Sequence, residues 1–373
     1  MQIVVNTRLL LKNKLDGIGW FSYQTLRRIA GAQKDVHFVF LFDRPYDESF
    51  IFSDNITPII LGPQARHPFL YYAWFHVSVR SILNRMKPDL FLSPDGFLSP
   101  GATCRQLAVI HDINFAHNPG DVRWLTAKYY NHFFPQYARL ATRIATVSEY
   151  SKQDLVNTYH LDPHKIDVVY NGINEGFKAL DSDRQTQARV RFAKGKPYFL
   201  FVGSQSPRKN LVRLLEAFEL FKQQCSSDLQ LVVAGANFWG EGELKRTLGN
   251  MKHNHEVHFT GRLLQEDLEL VTGGAFALTY VPYFEGFGIP LVEAMQCDVP
   301  IISSNVTCMP EIAGEAALYA DPYNVQAIAD CMLKLYGDAT LRKTLIEKGQ
   351  KQKLNFSWDK SASLLWQSIT KAL

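Results

Sequence analysis

Short apolar runs alternate with longer amphipathic segments along the chain, and this pattern predicts strands and helices that follow one another in turn. A first series of predicted strands covers 3–5, 36–42, 58–61, 90–92, 107–110, 144–147 and 166–170. A second series covers 198–203, 229–235, 256–260, 275–278 and 299–303. The polar stretch 182–196 between the two series is typical of a helix. Strands that alternate with helices form parallel sheets covered on both faces, so we predict an α/β protein.

Two series of strands indicate two doubly wound domains. The length of 373 residues supports this division, because single hydrophobic cores rarely grow beyond about 250–300 residues. We place the first domain at 1–173 and the second at 174–355, followed by an amphipathic helix at 356–373. Ligands of such sheets bind at the carboxyl ends of the strands. We therefore expect the two rims to face each other across a ligand-binding cleft.

Composition narrows the class of protein. The net charge of +4 is too small to favour nucleic acid as a partner. The five cysteines are scattered and form no Cys-x-x-Cys pair, which favours a reducing compartment over a disulfide scaffold. The amino terminus lacks the basic start of a signal peptide, and no apolar run has the length of a membrane span. We expect a cytoplasmic protein, with a position at the inner face of the membrane as an open alternative.

The positive charge is concentrated in the first half, which carries 18 Lys and Arg against 14 Asp and Glu up to Ile173. No acid lies between Asp54 and Asp89, and the stretch 64–87 combines basic residues with aromatic ones. Such a stretch could contact a membrane surface or a polyprenyl-linked glycan. It could equally be a helix that packs on its own sheet. The aromatic segment 124–137 could be an acceptor-binding wall, a dimer face or core.

The most informative motif lies at 283–295, where Glu285 and Glu293 stand eight positions apart. Two glycines and Pro290 lie between them, and the order predicted is strand, glycine loop and helix. A glycine loop at a helix start presents backbone amides and a positive helix end to an anion, while the two acids could accept hydrogen bonds from hydroxyl groups. The arrangement suits a diphosphate flanked by two sugars. A structural loop without a ligand is the alternative.

A second strand–loop–helix unit carries adjacent cations. Arg208 and Lys209 follow the predicted strand and Gly203, at the start of a helix, where the helix dipole disfavours positive charge. An anion bound at the same place would explain them, since Arg binds phosphate in bidentate fashion and Lys adds a point charge. Solvated surface charges are the alternative. Opposite the Glu285 loop, the pair would neutralise a diphosphate leaving group without a metal.

Two more loops carry candidate residues. Gly17 and Gly19 form a G-x-G turn that lacks the spacing of a dinucleotide-binding fingerprint, and we expect a flexible loop there whose amides approach a phosphate. His111 and Asp112 end a predicted strand at its functional edge, where Asp112 could fix the tautomer of the histidine. A structural histidine is the alternative. An acidic D-x-D pattern at 181–183 follows no strand, so we interpret it as a solvated turn and expect no metal site.

Taken together, these motifs resemble the retaining glycosyltransferases of family 4, whose GT-B fold consists of two Rossmann-like domains. The resemblance follows the chain in order and covers nearly all of it. The segments that carry it are Glu285 to Glu293, Gly203 with Arg208-Lys209-Asn210, His111-Asp112, Asp16-Gly17-Ile18-Gly19, Thr146-Val147-Ser148-Glu149 and Val169-Tyr170-Asn171-Gly172.

The resemblance implies a catalytic set and a donor-binding set. The catalytic set would be Glu285, His111, Arg208 and Lys209. The donor-binding set would be Gly17, Gly19, Gly203, Asn210, Gly286, Phe287, Gly288, Ile289 and Glu293, with Asp112 and Ser148 as secondary candidates. Glu293 would bind the donor ribose, Glu285 the transferred sugar, and the cation pair the departing diphosphate. His111 would lie close to the donor sugar.

The family likeness also implies the partners and the domain roles. The first domain would bind a glycan or polyprenyl-linked acceptor, and the second a nucleotide-sugar donor, GDP-mannose or a UDP-hexose. The carboxyl-terminal helix would cross back to the first domain. No cofactor is expected. A GT-B-fold nucleotide-sugar epimerase and a non-catalytic nucleotide-sugar-binding protein are the rival interpretations.

Overall fold

The computed structural model describes residues 1–236 and 241–373, which divide into two units. The first unit comprises Met1–Gly172 with Ser357–Leu373, and the second comprises Ile173–Phe356. Each is built on one sheet whose strands are all parallel and alternate with helices. The predicted fold class, two Rossmann-like parallel-sheet domains, is confirmed.

Seven strands form the sheet of the first unit within the described ranges. They are β1 (Gln2–Asn6), β2 (His37–Phe42), β3 (Ile56–Ile60), β4 (Leu90–Ser93), β5 (Arg105–Val109), β6 (Arg143–Thr146) and β7 (Ile166–Val168). Their order is β3-β2-β1-β4-β5-β6-β7. The helices are α1 (Gly17–Ala32), α2 (Pro68–Tyr72), α3 (Arg80–Met86), α4 (Asn114–His117), α5 (Trp124–Leu140) and α6 (Glu149–Tyr159), and a π-helical segment, Ala73–Val79, joins α2 to α3.

Six strands form the sheet of the second unit in the part of the chain that the structure describes. They are β8 (Tyr198–Val202), β9 (Gln230–Ala234), β10 (Val257–Gly261), β11 (Ala277–Tyr280), β12 (Ile301–Ser304) and β13 (Ala317–Ala320), in the order β10-β9-β8-β11-β12-β13. The helices are α7 (Ser182–Ala193), α8 (Leu211–Gln224), α9 (Glu241–Asn250), α10 (Gln265–Gly273), α11 (Ile289–Gln296), α12 (Met309–Ala313), α13 (Val325–Gly337) and α14 (Ala339–Gln352). The edge strand β13 is absent from the sequence prediction.

The last helix, α15 (Trp358–Ala372), belongs to the first unit, as predicted. Ser357 caps its amino terminus, and Trp358 packs edge-to-face on Phe21 of α1. Arg28 Nε donates to Asp359 Oδ1 over 2.6 Å, which ties α15 to α1 at the surface. The helix thus completes one face of the first sheet.

Segment 64–87 packs on its own unit through one face, and contact of the other face with a membrane or a glycan stays a prediction. Its inner face, which includes Trp74 and Phe75, is buried in the core of the first unit. Its outer face exposes Phe69, Leu70 and Tyr72. Across the described residues, no helix has the length and apolar character needed to cross a bilayer.

Candidate active site

The order of strands in the second unit determines where its functional loops meet. β8 and β11 are neighbours in the sheet, although two other strands separate them along the chain. A doubly wound sheet binds its ligand at such a reversal of strand order, beyond the carboxyl ends of the strands. The loop after β8 carries Gly203, Arg208 and Lys209, and the loop after β11 carries Glu285. The two most informative sequence motifs therefore meet at one edge of one sheet.

Glu285 forms the centre of this meeting point. Its Oε1 accepts a hydrogen bond from Arg208 Nη1 at 2.7 Å, from Tyr280 OH at 2.9 Å and from Lys209 Nζ. The Glu285 side chain is only 9% exposed, whereas that of Arg208 is 25% exposed. Arg208 Nη1 also donates to the Phe284 carbonyl at 3.2 Å. The carboxylate is nearly enclosed, and the guanidinium reaches solvent.

The charges of this cluster do not cancel. One carboxylate faces an arginine and a lysine, so the three side chains carry a net charge of +1 when all are ionised. The amino terminus of α11 lies in the same loop and adds the positive end of a helix dipole. The cluster therefore attracts an anion even while Glu285 is ion-paired. A phosphate group has the charge and oxygen geometry that Arg and Lys bind well.

The glycine loop between the two acids adopts a backbone that requires glycine at one position. Gly288 has φ = +86° at the amino-terminal cap of α11, in the left-handed region that side chains disfavour. A Cβ at this position would also lie 2.6 Å from Met309 Cε. Pro290 follows in the first turn of the helix, where no amide hydrogen is required. Ile289 is the first residue of α11, and its predicted contact with the donor stays a prediction.

Phe287 contributes to the core of the second unit through its ring. The ring is buried and packs edge-to-face on Phe356, with centroids 5.6 Å apart. Gly286 beside it is also buried. Donor contacts predicted for Gly286, Phe287 and Gly288 would involve their backbones, and they stay a prediction.

Glu293 lies within α11 and differs from Glu285 in its surroundings. Its side chain is buried, and burial raises the pKa of its carboxyl to about 8, with the nearby Glu269 carboxylate adding to the rise. A buried carboxyl without a cation beside it favours its neutral form. At neutral pH it is therefore mostly protonated and can donate one hydrogen bond as well as accept others. Such a group is suited to binding a hydroxyl.

Asn210 holds in place the loop after β8 that carries Arg208 and Lys209, which we call the cation loop. The residue adopts a left-handed conformation with φ = +63° directly before α8. Its Nδ2 donates to the carbonyls of Val281 at 3.0 Å and Pro322 at 2.7 Å, and its Oδ1 accepts from Arg213. The structure thus gives this predicted donor-binding residue a part in positioning the loop. A direct contact with the donor stays a prediction.

Gly203 lies where two backbones approach closely. It has φ = +147°, and its carbonyl oxygen would lie 1.8 Å from a Cβ placed on Gly235. The loops after β8 and β9 therefore touch through their glycines. This contact keeps side chains away from the start of the cation loop.

The remaining candidates lie in the first unit. His111 lies two residues after the end of β5, with its Nε2 2.9 Å from the Pro94 carbonyl oxygen and its ring edge-to-face on Phe21. A carbonyl only accepts hydrogen bonds, so Nε2 carries a hydrogen and Nδ1 is the acceptor of the neutral ring. Burial lowers the pKa of His111, although the Pro94 carbonyl and the Asp112 carboxylate oppose the change. The ring is thus neutral at physiological pH.

Two expectations about the first unit are wrong. Asp112 does not fix the tautomer of His111, because the Pro94 carbonyl accepts from His111 Nε2, and Asp112 Oδ1 accepts from the Asn114 amide at 3.1 Å. Gly17 and Gly19 do not form a flexible loop, since α1 begins at Gly17 and Asp16 caps it by accepting from the Gly19 amide at 2.9 Å. Short polar side chains commonly capture nearby amides in this way.

Two other predicted positions are helix caps. Ser148 is fully buried and accepts from the Ser151 amide at the start of α6. Asp181, from the acidic D-x-D pattern, accepts from the Arg184 amide at the start of α7. Within the described ranges, no group of three or more His, Cys, Asp or Glu side chains is arranged to hold a metal ion.

Sequence reasoning missed Tyr280 in the second unit and a polar cluster in the first. Arg8 Nε donates to Asp95 Oδ2 at 2.6 Å, and Asn6 Nδ2 donates to Asp95 Oδ1 at 2.8 Å, with both residues of the ion pair buried. The cluster follows β1 and β4, the neighbours at the reversal of strand order in the first sheet. The sequence signal that could have indicated this cluster is the position of its polar residues just after the predicted strands 3–5 and 90–92.

The comparisons with known proteins agree across the whole chain. Residues 15–177 match the family model described as Glycosyltransferase Family 4, and residues 182–352 match the model described as Glycosyl transferases group 1. The chain is 26% identical over 379 residues to the O-antigen chain mannosyltransferase B of Escherichia coli, covering 96% of this chain and 97% of that protein.

Solved structures show the same fold. The crystal structure of Anabaena HepE in complex with UDP and glucose has a TM-score of 0.77 and 16% identity, with 99% of each chain covered. WaaG, a glycosyltransferase involved in lipopolysaccharide biosynthesis, has a TM-score of 0.74 and 15% identity, with 97% of each chain covered. With its two parallel-sheet units of the GT-B type and family matches in both halves, the chain belongs to the group 1 glycosyltransferases of family 4.

Proposed function

We propose that this glycosyltransferase transfers mannose, with retention of configuration and without a metal, from a nucleoside-diphosphate donor to a growing surface polysaccharide. The observation that carries the proposal is the Glu285 cluster, which joins two cations and a helix amino terminus at the ligand-binding edge of the second sheet. The choice of mannose and of a polysaccharide acceptor rests on likeness to the O-antigen chain mannosyltransferase B along nearly the whole chain.

The cation pair would stabilise the leaving group. When the bond between the anomeric carbon and the phosphate oxygen breaks, negative charge grows on the departing diphosphate and positive charge grows on the sugar ring. Arg208 and Lys209 supply the positive charge that the diphosphate needs, and preorganised groups of this kind contribute about 10²–10³ in rate each. This arrangement supports transfer without a metal, because the side chains provide the neutralisation.

Glu285 would have two parts in the reaction. Its ion pairs with Arg208 and Lys209 hold both cations in position before the donor binds. Its carboxylate would also accept hydrogen bonds from sugar hydroxyls and favour positive charge at the anomeric carbon. We assign no covalent nucleophile to it, since a carboxylate bound by three donors is a weak one.

Glu293 would bind the nucleotide part of the donor. The carboxyl is buried and mostly protonated at neutral pH, with a pKa raised to about 8, so it can accept a hydrogen bond from one ribose hydroxyl and donate one to the oxygen of the other. The two acids of the motif therefore have different environments and different proposed roles. Glu285 acts on the reacting sugar, and Glu293 acts on the ribose.

The proton of the acceptor hydroxyl would leave through the donor itself. As the new bond forms between the acceptor oxygen and the anomeric carbon, the acceptor proton passes to the departing phosphate oxygen on the same face of the sugar. Bond formation on the face that the phosphate leaves gives retention. His111 of the first unit is predicted to lie near the donor sugar, and its neutral ring with Nδ1 as acceptor would bind a sugar hydroxyl rather than add charge.

The proposal is tested by incubating the purified protein with GDP-mannose or UDP-glucose, with and without a mannose-terminated oligosaccharide, in the presence of a metal chelator. We expect nucleotide release from GDP-mannose only when the acceptor is present, and an α-linked product by NMR. A changed sugar without acceptor would identify an epimerase instead. Donor binding without any turnover would identify a binding protein, and loss of transfer on chelation would contradict metal independence.

A further inference from the structure

We propose that Thr307 binds a hydroxyl group of the transferred sugar, on the side of that sugar away from the diphosphate. Thr307 lies in the segment 305–308 between β12 and α12, which we call the β12 loop. Its role as a specificity-determining residue rests on the proposed function and adds a loop that the sequence motifs do not include. The backbone conformation of Thr307, its buried hydroxyl group and the position of its loop support this role.

Thr307 has a backbone conformation that its side chain disfavours, with φ = +57° in the left-handed region. Seven residues other than glycine have a positive φ in the ranges that the structure describes. Three of them end helices α3, α6 and α7, and three others are Asn or Asp, which tolerate this region. Thr307 is β-branched and ends no helix, and a glycine would adopt the same turn without strain. Residues held in such strained conformations cluster at functional sites.

The hydroxyl group of Thr307 has no partner in the part of the chain that the structure describes. Its Oγ1 is buried and takes part in no hydrogen bond. The same holds for Ser303 Oγ and Ser304 Oγ at the end of β12. A buried hydroxyl group without a hydrogen bond is unfavourable, so it calls for a ligand or an ordered water as its partner. A threonine at this position therefore destabilises the fold twice, through backbone strain and through desolvation.

The β12 loop lies against the glycine loop that carries Glu285. Cys308 Sγ donates to the Glu285 carbonyl oxygen at 3.2 Å. Met309, directly after the β12 loop, lies against Gly288, where an added Cβ would be 2.6 Å from Met309 Cε. Thr307 is therefore adjacent in sequence to the residue that binds the backbone of the proposed sugar-binding acid.

The order of strands places the β12 loop on one side of Glu285. The neighbouring strands β8, β11 and β12 are followed, in that order, by the cation loop, by Glu285 and by Thr307. A donor with its diphosphate on Arg208 and Lys209 and its sugar on Glu285 would extend toward the β12 loop. The sugar hydroxyl groups remote from the anomeric carbon would then meet Thr307. A threonine hydroxyl donates one hydrogen bond and accepts others, as a sugar hydroxyl partner requires.

Donor titrations test this role, with GDP-mannose, UDP-glucose and each free nucleoside diphosphate as ligands. Thr307→Val keeps the branched Cβ but lacks the hydroxyl group. It should weaken binding of the nucleotide sugar about tenfold, the size of one hydrogen bond. Binding of the free diphosphate should stay within about twofold, because the nucleotide does not reach Thr307. Thr307→Ser keeps the hydroxyl group and should bind the nucleotide sugar like the unchanged protein.

Thr307→Gly separates binding from stability. This variant relieves the strain at φ = +57°, so it should unfold at the same or a higher urea concentration than the unchanged protein. Its binding of the nucleotide sugar should still be weakened about tenfold. A lower urea midpoint would show that the threonine serves the fold. Lys194→Gly is the matched control, because it relieves a φ of +52° at an exposed position after α7 and should leave donor binding unchanged.

Three outcomes would overturn the proposal. Unchanged binding of the nucleotide sugar in Thr307→Val and Thr307→Gly would identify an ordered water as the partner of Oγ1. Equal weakening for the nucleotide sugar and the free diphosphate would show that Thr307 acts on the nucleotide or only shapes the loop. In both cases the proposed function would stand. An unchanged protein that binds no nucleotide sugar would contradict the proposed function and the role of Thr307 together.

Discussion

Replacement of Glu293 by glutamine should stabilise the protein, even though it removes a predicted ligand-binding group. The folded carboxyl has a pKa raised to about 8 from the ordinary value of 4.5. Between these two values the native state keeps a proton that the unfolded chain has released. The free energy of unfolding of the unchanged protein therefore falls as pH rises from about 4.5 to about 8.

The size of this effect follows from the two pKa values. Because the unfolded chain releases the proton and the folded protein keeps it, the free energy of unfolding is lowered by about 1 kcal/mol near pH 5 and by about 4 kcal/mol near pH 8. The reference is a side chain that stays neutral in both states. Glutamine is neutral at every pH and has nearly the same shape. The stability advantage of Glu293→Gln over the unchanged protein should therefore grow by about 3 kcal/mol between pH 5 and pH 8.

Hydrogen exchange measured by mass spectrometry gives this difference for the second unit alone, from peptides that contain β8 and β11. Glu266→Gln is a matched control, because Glu266 is an exposed acid on α10 and its replacement should leave the pH dependence unchanged. A difference between Glu293→Gln and the unchanged protein that stays constant from pH 5 to pH 8 would refute the assignment of a neutral, buried carboxyl.

Three further predictions concern the loops around the Glu285 cluster. Gly288→Ala should lower the free energy of unfolding by about 1–2 kcal/mol, because Gly288 has a positive φ and an added Cβ would meet Met309. Gly249→Ala is the control, since a Cβ at this position of α9 meets open space and should not lower the free energy of unfolding. Urea unfolding measures both variants. Asn210→Ala should lower the same quantity by about 2 kcal/mol, since two carbonyls lose their donor; a neutral result would contradict its positioning part. Lys209→Met should reduce the transfer rate about 100-fold or more with the circular dichroism spectrum unchanged, and a rate within about threefold of the unchanged protein would contradict its part in leaving-group stabilisation.

Local patterns were sufficient to predict the fold because parallel strands are continuous apolar runs that helices separate. Edge strand β13 (Ala317–Ala320) was not predicted, because the strand is short and only its first and last residues are buried, so its apolar signal is weak. The glycine loop was predictable for the opposite reason. Gly288 and Pro290 each have a conformational meaning that can be read without knowledge of the tertiary structure.

Contacts that depend on strand order could not be predicted in the same way. Tyr280 and Glu285 both meet Lys209 only because β11 lies beside β8 in the sheet, and no short segment of sequence shows which strands are neighbours. The Arg8–Asp95 ion pair depends on the neighbouring positions of β1 and β4 for the same reason.

The central claim is that Glu285 acts on the reacting sugar while Glu293 binds the nucleotide, and donor titration combined with turnover at saturating donor tests it most directly. Glu293→Ala should raise the donor Kd about tenfold or more with a near-normal turnover. Glu285→Ala should lower turnover about 100-fold and leave the donor Kd within about threefold, because Arg208 and Lys209 keep their charge. Equal defects in donor binding for both variants, with no loss of turnover in either, would contradict the claim.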